Sequence, residues 1–118
     1  MMDSPKIGVV GPCAAGKTTL IAGLRNHGYT AKHIAQEHSY VPAMWQLLTN
    51  PDILIYLDAA YETTVQRRKL DWSAKEYAEE KSRLAHASRH ADLYINTDLL
   101  SPQEVLERVL EFVRSRTK

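Results

Sequence analysis

Eight consecutive residues, Gly11-Pro12-Cys13-Ala14-Ala15-Gly16-Lys17-Thr18, fit the spacing G-x-x-x-x-G-K-[ST] in full. That spacing suits binding of a nucleotide's phosphates. Gly11 lets the chain leave a strand sharply, and the small Ala14 and Ala15 let successive backbone N–H groups converge on phosphate oxygens. Gly16 has no Cβ to obstruct the anion. The helix expected from Lys17 through Thr18 and Thr19 points its positive end at the same place. Lys17 would reach the β- and γ-phosphates, and the Thr18 hydroxyl would ligate Mg²⁺. Cys13 lies where a helix N-terminus would lower a thiol pKa; the preferred reading is that it occupies a variable loop position.

Such a loop needs a strand before it and a helix after it. Residues 6–10, Lys-Ile-Gly-Val-Val, read as a short buried strand. From Gly16 the period changes: Leu20, Ile21 and Leu24 share a helical face, and Asn26-His27-Gly28 is a glycine stop. Further on, 29–36 is a strand candidate and 41–49 a helix with Pro42 in its first turn. Ile53 to Leu57, "ILIYL", reads as a strand covered on both faces. A helix is expected over 60–70, and Ser73-Ala-Lys-Glu76 is a capping box opening a long polar helix to about His90. "DLYIN", 92–96, is a strand, and Ser101-Pro-Gln-Glu104 caps a final helix whose apolar face is Val105, Leu106, Val109, Leu110 and Val113. Strands alternating with long helical crossovers predict an α/β fold: a three-layer sandwich with a short, about four-stranded parallel sheet and helices on both faces.

With 118 residues and no visible linker, one domain is expected over 1–118. The net charge of +1 gives no global field for nucleic acid or membrane, and no basic–aromatic stacking pattern is present. The apolar runs are too short to cross a bilayer. The start "MMDSPKIG" lacks a signal or transit pattern. The single cysteine fits a reducing cytoplasm. The expectation is therefore a cytoplasmic protein with neither nucleic-acid nor membrane partners.

With its strand, loop and helix in place, the chain resembles the P-loop NTPases, and within them the small nucleoside- and nucleotide-kinase (adenylate-kinase-like) branch. Besides the loop, "PDILIYLDAAYETTVQRR" looks like the segment of those kinases where a strand ends in Leu-Asp and a short helix leads to lid arginines. "RHADLYINTDLLSPQEVLERVLEF" looks like their closing strand and helix. The resemblance implies Mg-ATP binding and phosphoryl transfer. By it, 67–90 is lid-like, Arg67 and Arg68 fall where lid arginines sit, and Arg89 falls at the arginine before the last strand. Guanidinium groups suit charge spreading over a γ-phosphate. Lys75, Lys81 and Arg83 read instead as a solvated helix face, with Glu79 and Arg83 pairing at i,i+4.

Those kinases also use an acidic residue near the phosphates. Glu37 and Asp58 both close candidate strands, at the strand ends that face a ligand crevice. Glu37 is the preferred choice. Asp58 is an alternative for Mg²⁺, with capping of the next helix its more natural role. The chain departs from the kinases in lacking their arm that grips a phosphate acceptor. Only 29–51 is available for one, where Tyr40, Met44 and Trp45 either line an acceptor pocket or, as preferred for Met44 and Trp45, pack as core. The expectation is a small kinase acting on an unidentified small-molecule acceptor, with Lys17, Glu37, Arg67 and Arg89 as its catalytic groups. The alternative is a nucleotide sensor without phosphotransfer. A homo-oligomer would be one route to further arginines. His86 and His90 share a helical face at i,i+4, but Ala87 stands where H-E-x-x-H requires glutamate, which argues against zinc there. "NTDL" at 96–99 is not the Asn-Lys-x-Asp of guanine-specific GTPases.

Overall fold

The computed structural model describes residues 4–68 and 72–117. Four strands, β1 (Lys6–Val10), β2 (Thr30–His33), β3 (Ile53–Asp58) and β4 (Leu93–Asn96), form one sheet in the order β2-β1-β3-β4. All three pairings are parallel; Val9 lies opposite His33 on one side and Ile55 on the other, and Tyr56 lies opposite Tyr94. The connections run through α1 (Lys17–Asn26), a 3₁₀ turn (Gln36–His38) with α2 (Met44–Leu48), and α3 (Tyr61–Arg68), α4 (Ala74–Arg83) and α5 (Ala85–His90). The chain closes with α6 (Pro102–Arg116).

Every residue of β3 is buried, as its unbroken apolar run requires. Its alternate residues serve two cores. Ile53, Ile55 and Leu57 pack with Leu20, Ile21 and Leu24 of α1 and with Val105, Val109 and Val113 of α6. Leu54 and Tyr56 pack on the other face with Val10, Ile34, Trp45 of α2, and Leu84 and Ala87 at α5. The sheet is therefore an α/β layer with helices on both faces. On the first face α1 and α6 meet closely at Gly23, where an added Cβ would stand 2.9 Å from Leu106 Cδ2.

Two elements differ from expectation. The helix predicted over 41–49 begins only at Met44, and Pro42 lies in the turn before it. Gln36 holds that turn, its Nε2 donating to Val41 O at 2.9 Å while its Oε1 accepts the Trp45 N–H at 2.8 Å. The helix predicted from 74 to 90 is broken at Leu84, which is fully buried. The break lets Leu84 and Ala87 reach the sheet, which a straight polar helix would not allow. Ser73 and Ser101 both form capping boxes with Glu76 and Glu104, as their spacing predicts. The end of the helix expected to 70, Asp71 of the break expected at 71–73, and residues 69–71 of the lid-like segment 67–90 lie outside the described residues. Among the described residues no helix is long and apolar enough to cross a membrane.

Candidate functional site

The loop from Gly11 to Thr18 leaves the end of β1 and enters α1 directly. At Gly11 φ is +152°, and a Cβ there would overlap the Leu57 carbonyl oxygen of β3. Gly16, at φ +103°, faces open space with no protein atom within 4 Å of a built Cβ. Ala14, at φ +66°, accepts the left-handed region without being glycine. The loop is thus bent back on itself over the first turn of α1. Among the described residues, the backbone N–H groups of Ala14, Gly16, Lys17 and Thr18 donate to no protein acceptor. Orphan donors at a helix N-terminus suit an anion. The Thr18 and Thr19 side chains are exposed beside them.

Lys17 is only 7% exposed. Its Nζ donates to Gly11 O, to Pro12 O at 3.4 Å and to Glu37 Oε2 at 2.5 Å. Glu37, in the 3₁₀ turn after β2, is 2% exposed, and its buried Oε1 has no hydrogen-bond partner among the described residues. His33 and His38 stand on either side, with Nε2 atoms 3.8 and 4.0 Å from Glu37 Oε2. Burial and the Lys17 charge push the His33 pKa below its usual value. The two residues the sequence named as phosphate cation and acidic partner are therefore one buried ion pair.

Arg67, at the end of α3, reaches back over the loop. Its Nη1 donates to Ala14 O at 3.0 Å and Thr97 Oγ1 at 2.9 Å, and its Nη2 donates to Thr97 O at 2.7 Å. Thr97 itself is buried, with Oγ1 within 3.0 Å of Ala15 O. Together they border a cleft of about 380 Å³ lined by Ala15, Gly16, Thr19, Leu20, Arg67, Thr97, Leu100, Pro102 and Val105. The cleft is mostly apolar, has one guanidinium at its rim, and opens beside the four orphan N–H groups.

Other expectations need correction. Asp58 neither caps the next helix nor stands free for Mg²⁺. Both of its carboxylate oxygens accept from Lys81 Nζ at 2.7 Å, and Oδ2 also accepts from the Tyr94 hydroxyl. Asp98 serves α3 instead, accepting the Ala60 N–H at 2.9 Å. Burial alone would raise the Asp98 carboxyl, but the Ala60 N–H, the Thr63 hydroxyl and nearby groups outweigh it and hold the pKa down. Arg89 is not brought to the loop. It is exposed at the end of α5, close to where β4 begins, whereas the loop lies where β1 ends. Parallel strands put those points at opposite ends of the strands. Lys81 is no solvated charge, and Arg83 passes over Glu79 to donate to Glu37 O at 3.2 Å and to Tyr40 Oη at 3.1 Å.

Cys13 is more than a filler. Its N–H donates to Glu80 Oε1 at 2.9 Å and its thiol to Glu80 Oε2 at 3.0 Å. Burial, then the hydrogen bond to Glu80, pushes the thiol pKa up to about 11, the reverse of what the helix terminus alone suggests. Trp45 is core, donating from Nε1 to His86 Nδ1 at 3.0 Å, while Tyr40 is exposed and stacked under Arg83. Arg68 is exposed, over the Trp72 ring.

Sequence reasoning missed Glu80, Thr97, Asp98 and His38. Glu80 looks like any helix-surface acid, since only folding brings α4 over the loop. Thr97 and Asp98 had a signal in their position just past β4, at the crevice edge. No protein-family model matches this chain, and no curated protein matches it.

Proposed function

We propose that this chain is a P-loop protein that binds Mg-ATP at residues 11–18 and transfers a phosphoryl group to a small-molecule acceptor. The observation that carries the reading is the buried Lys17–Glu37 pair beneath a loop with four unpartnered N–H groups. Burying both charges carries a desolvation cost that their pairing and the two loop carbonyls offset only in part. The residues fit a phosphate chain: the orphan donors supply the cradle, Gly16 leaves room for close approach, and Lys17 supplies the cation. The Thr18 hydroxyl would hold Mg²⁺, which neutralises phosphate charge when bound. Glu37, with one unpartnered oxygen, positions the acceptor or its proton. Arg67 stands over the loop as the guanidinium for the transferring group, and the apolar cleft beside it takes the nucleoside. Arg68 is left without a part, and Arg89 has none.

A second reading has its own support. Lys17 is held by Glu37 and two loop carbonyls, the Cys13 N–H is held by Glu80, and Arg67 is the one guanidinium that reaches the loop among the described residues. Such a closed site suits a nucleotide sensor without phosphotransfer.

A thermal-shift panel of ATP, ADP, GTP and AMP with Mg²⁺ tests binding. A ligand at 100 times its Kd stabilises by about 2.7 kcal/mol, several degrees for a domain of this size. We expect that shift with ATP or ADP, its loss in Lys17→Ala, and a weakened Mg²⁺ requirement in Thr18→Ala, whose exposed side chain leaves the fold intact. No shift with any nucleotide overturns both readings. ADP release in an acceptor screen then separates them. In a kinase, Arg67→Ala lowers turnover by roughly 10³-fold with little change in ATP Kd, and Arg89→Ala changes neither.

A further inference from the structure

Cys13, His38 and Glu80 come from the loop after β1, the 3₁₀ turn after β2, and α4. One ligand atom from each lies within 4.8 Å of the other two. Cys13 Sγ is 3.0 Å from Glu80 Oε2 and 3.9 Å from His38 Nε2. A tetrahedral ion with bonds of about 2.3 Å to sulfur and about 2.0 Å to nitrogen holds those two atoms about 3.5 Å apart. On binding, sulfur and nitrogen close by a few tenths of an ångström, and sulfur and the Glu80 oxygen open by a similar amount.

The charges make a second, independent observation. Glu80 is 6% exposed, yet its oxygens accept only from the Cys13 N–H and thiol. Among the described residues no ammonium or guanidinium pairs with it. Glu37, whose Oε2 is 4.0 Å from His38 Nε2, leaves a buried oxygen unpartnered. Among the described residues Lys17 is the single buried ammonium, and it pairs with Glu37 rather than Glu80. Buried carboxylates are stable when a cation compensates them; among the described residues Lys17 is taken by Glu37 and Arg83 reaches Glu37 only at its backbone, which leaves the Glu80 carboxylate without a cation.

We infer that Cys13, His38 and Glu80 form a binding site for a zinc-class divalent transition metal at the mouth of the loop. Thiolate, imidazole and carboxylate are the donors such ions take, whereas Mg²⁺ and Ca²⁺ favour oxygen alone. On binding, the metal–sulfur bond replaces the sulfur–hydrogen bond, and the thiol proton leaves to solvent. Glu80 Oε2 passes from accepting that proton to ligating the metal. Glu80 Oε1 keeps the Cys13 N–H, which orients the carboxylate. Three protein ligands leave a fourth position, and His38, with a side chain 60% exposed, keeps it open to water. Thiolate and neutral imidazole are the forms that ligate a metal, so binding releases a proton and strengthens as pH rises. The site does not rest on nucleotide binding.

Titration of the metal-free chain with Co²⁺, followed by Zn²⁺, tests it. Cys13 is the sole cysteine, so thiolate-to-cobalt charge-transfer absorption reports that residue alone. We expect the band to saturate at one equivalent and to bleach on adding Zn²⁺. It should vanish in Cys13→Ser, and Co²⁺ affinity should fall roughly tenfold or more in His38→Ala and in Glu80→Gln. His38 is exposed, so its variant keeps the fold even if a Glu80 change disturbs the loop; circular dichroism checks each. No charge-transfer band at millimolar Co²⁺ overturns the proposal. So does Co²⁺ binding that is lost in His86→Ala, which would assign the ion to the stacked His86–His90 pair. Saturation at half an equivalent, or a band indifferent to both His38→Ala and Glu80→Gln, also overturns it, because the thiol would then bind without these partners.

Discussion

Lys17 and Glu37 set the residue-scale energetics. Each is buried, and each is the other's charge partner. Removing one partner of a buried pair strands the other, at about 3–5 kcal/mol. Urea titration should therefore show Lys17→Ala destabilised by about that amount at neutral pH. The double variant Lys17→Ala with Glu37→Gln should recover part of the loss, because no bare carboxylate is left; strictly additive losses would mean that the pair is not coupled. His33 adds a pH dependence. Its folded pKa lies below the usual 6.5, so the unfolded chain binds the proton more readily. The stability this represents is fully present above pH 6.5 and is lost as pH falls through the folded pKa. Urea midpoints measured from pH 7 downward should fall, and His33→Gln should flatten that fall. An unchanged slope would remove His33 from the account.

At the scale of elements, α4 is the piece that completes the site. It carries Glu80 to the loop, Lys81 to Asp58 on β3, and Arg83 to the backbone of Glu37. Tyr77 of the same helix donates from its hydroxyl to Ala59 O at 2.8 Å. These ties are polar, so α4 depends on its cap more than a core helix would. Losing a capping serine costs about 1 kcal/mol. In Ser73→Ala we expect faster amide exchange concentrated in α4. Ser101→Ala, at the start of α6, should lower the global Tm by several degrees, because α6 supplies Val109 and Val113 to the main core. Equal and global effects from both variants would show α4 to be as integral as α6.

For the whole molecule, two apolar clusters share one sheet. The smaller depends on Leu84, at the break between α4 and α5. Its side chain is fully buried, and truncation of a core leucine costs about 2–5 kcal/mol. Leu84→Ala should therefore lower the urea midpoint while leaving a single transition, since both clusters pack on β3. Two separated transitions would mean that the α4–α5 layer folds on its own. A cooperative unit of this kind makes the loop's position a property of both faces: β1 and β3 hold Gly11, β4 holds Ala15 through Thr97, and α3 holds Ala14 through Arg67.

The local parts of this protein were legible in its residues. The strand–loop–helix at 6–26, the unbroken apolar run of β3 and the two capping boxes depend on neighbours within a few positions, where period, glycine and serine act directly. The α/β class followed from their alternation. Glu37 could be named because it follows a candidate strand, and the crevice lies past strand ends; it sits in the 3₁₀ turn after β2. What the residues alone left open was set by distance along the chain. Glu80 lies 67 positions from Cys13, and Thr97 lies 82 from Ala15. Arg67 and Arg89 looked alike as cations, and only the direction of the parallel strands put one over the loop and the other at the opposite end of the strands. The helix contact expected of Asp58 falls to Asp98 for the same reason: a carboxylate takes the nearest donors, and the packing of α4 and β4 on the sheet determines which donors those are.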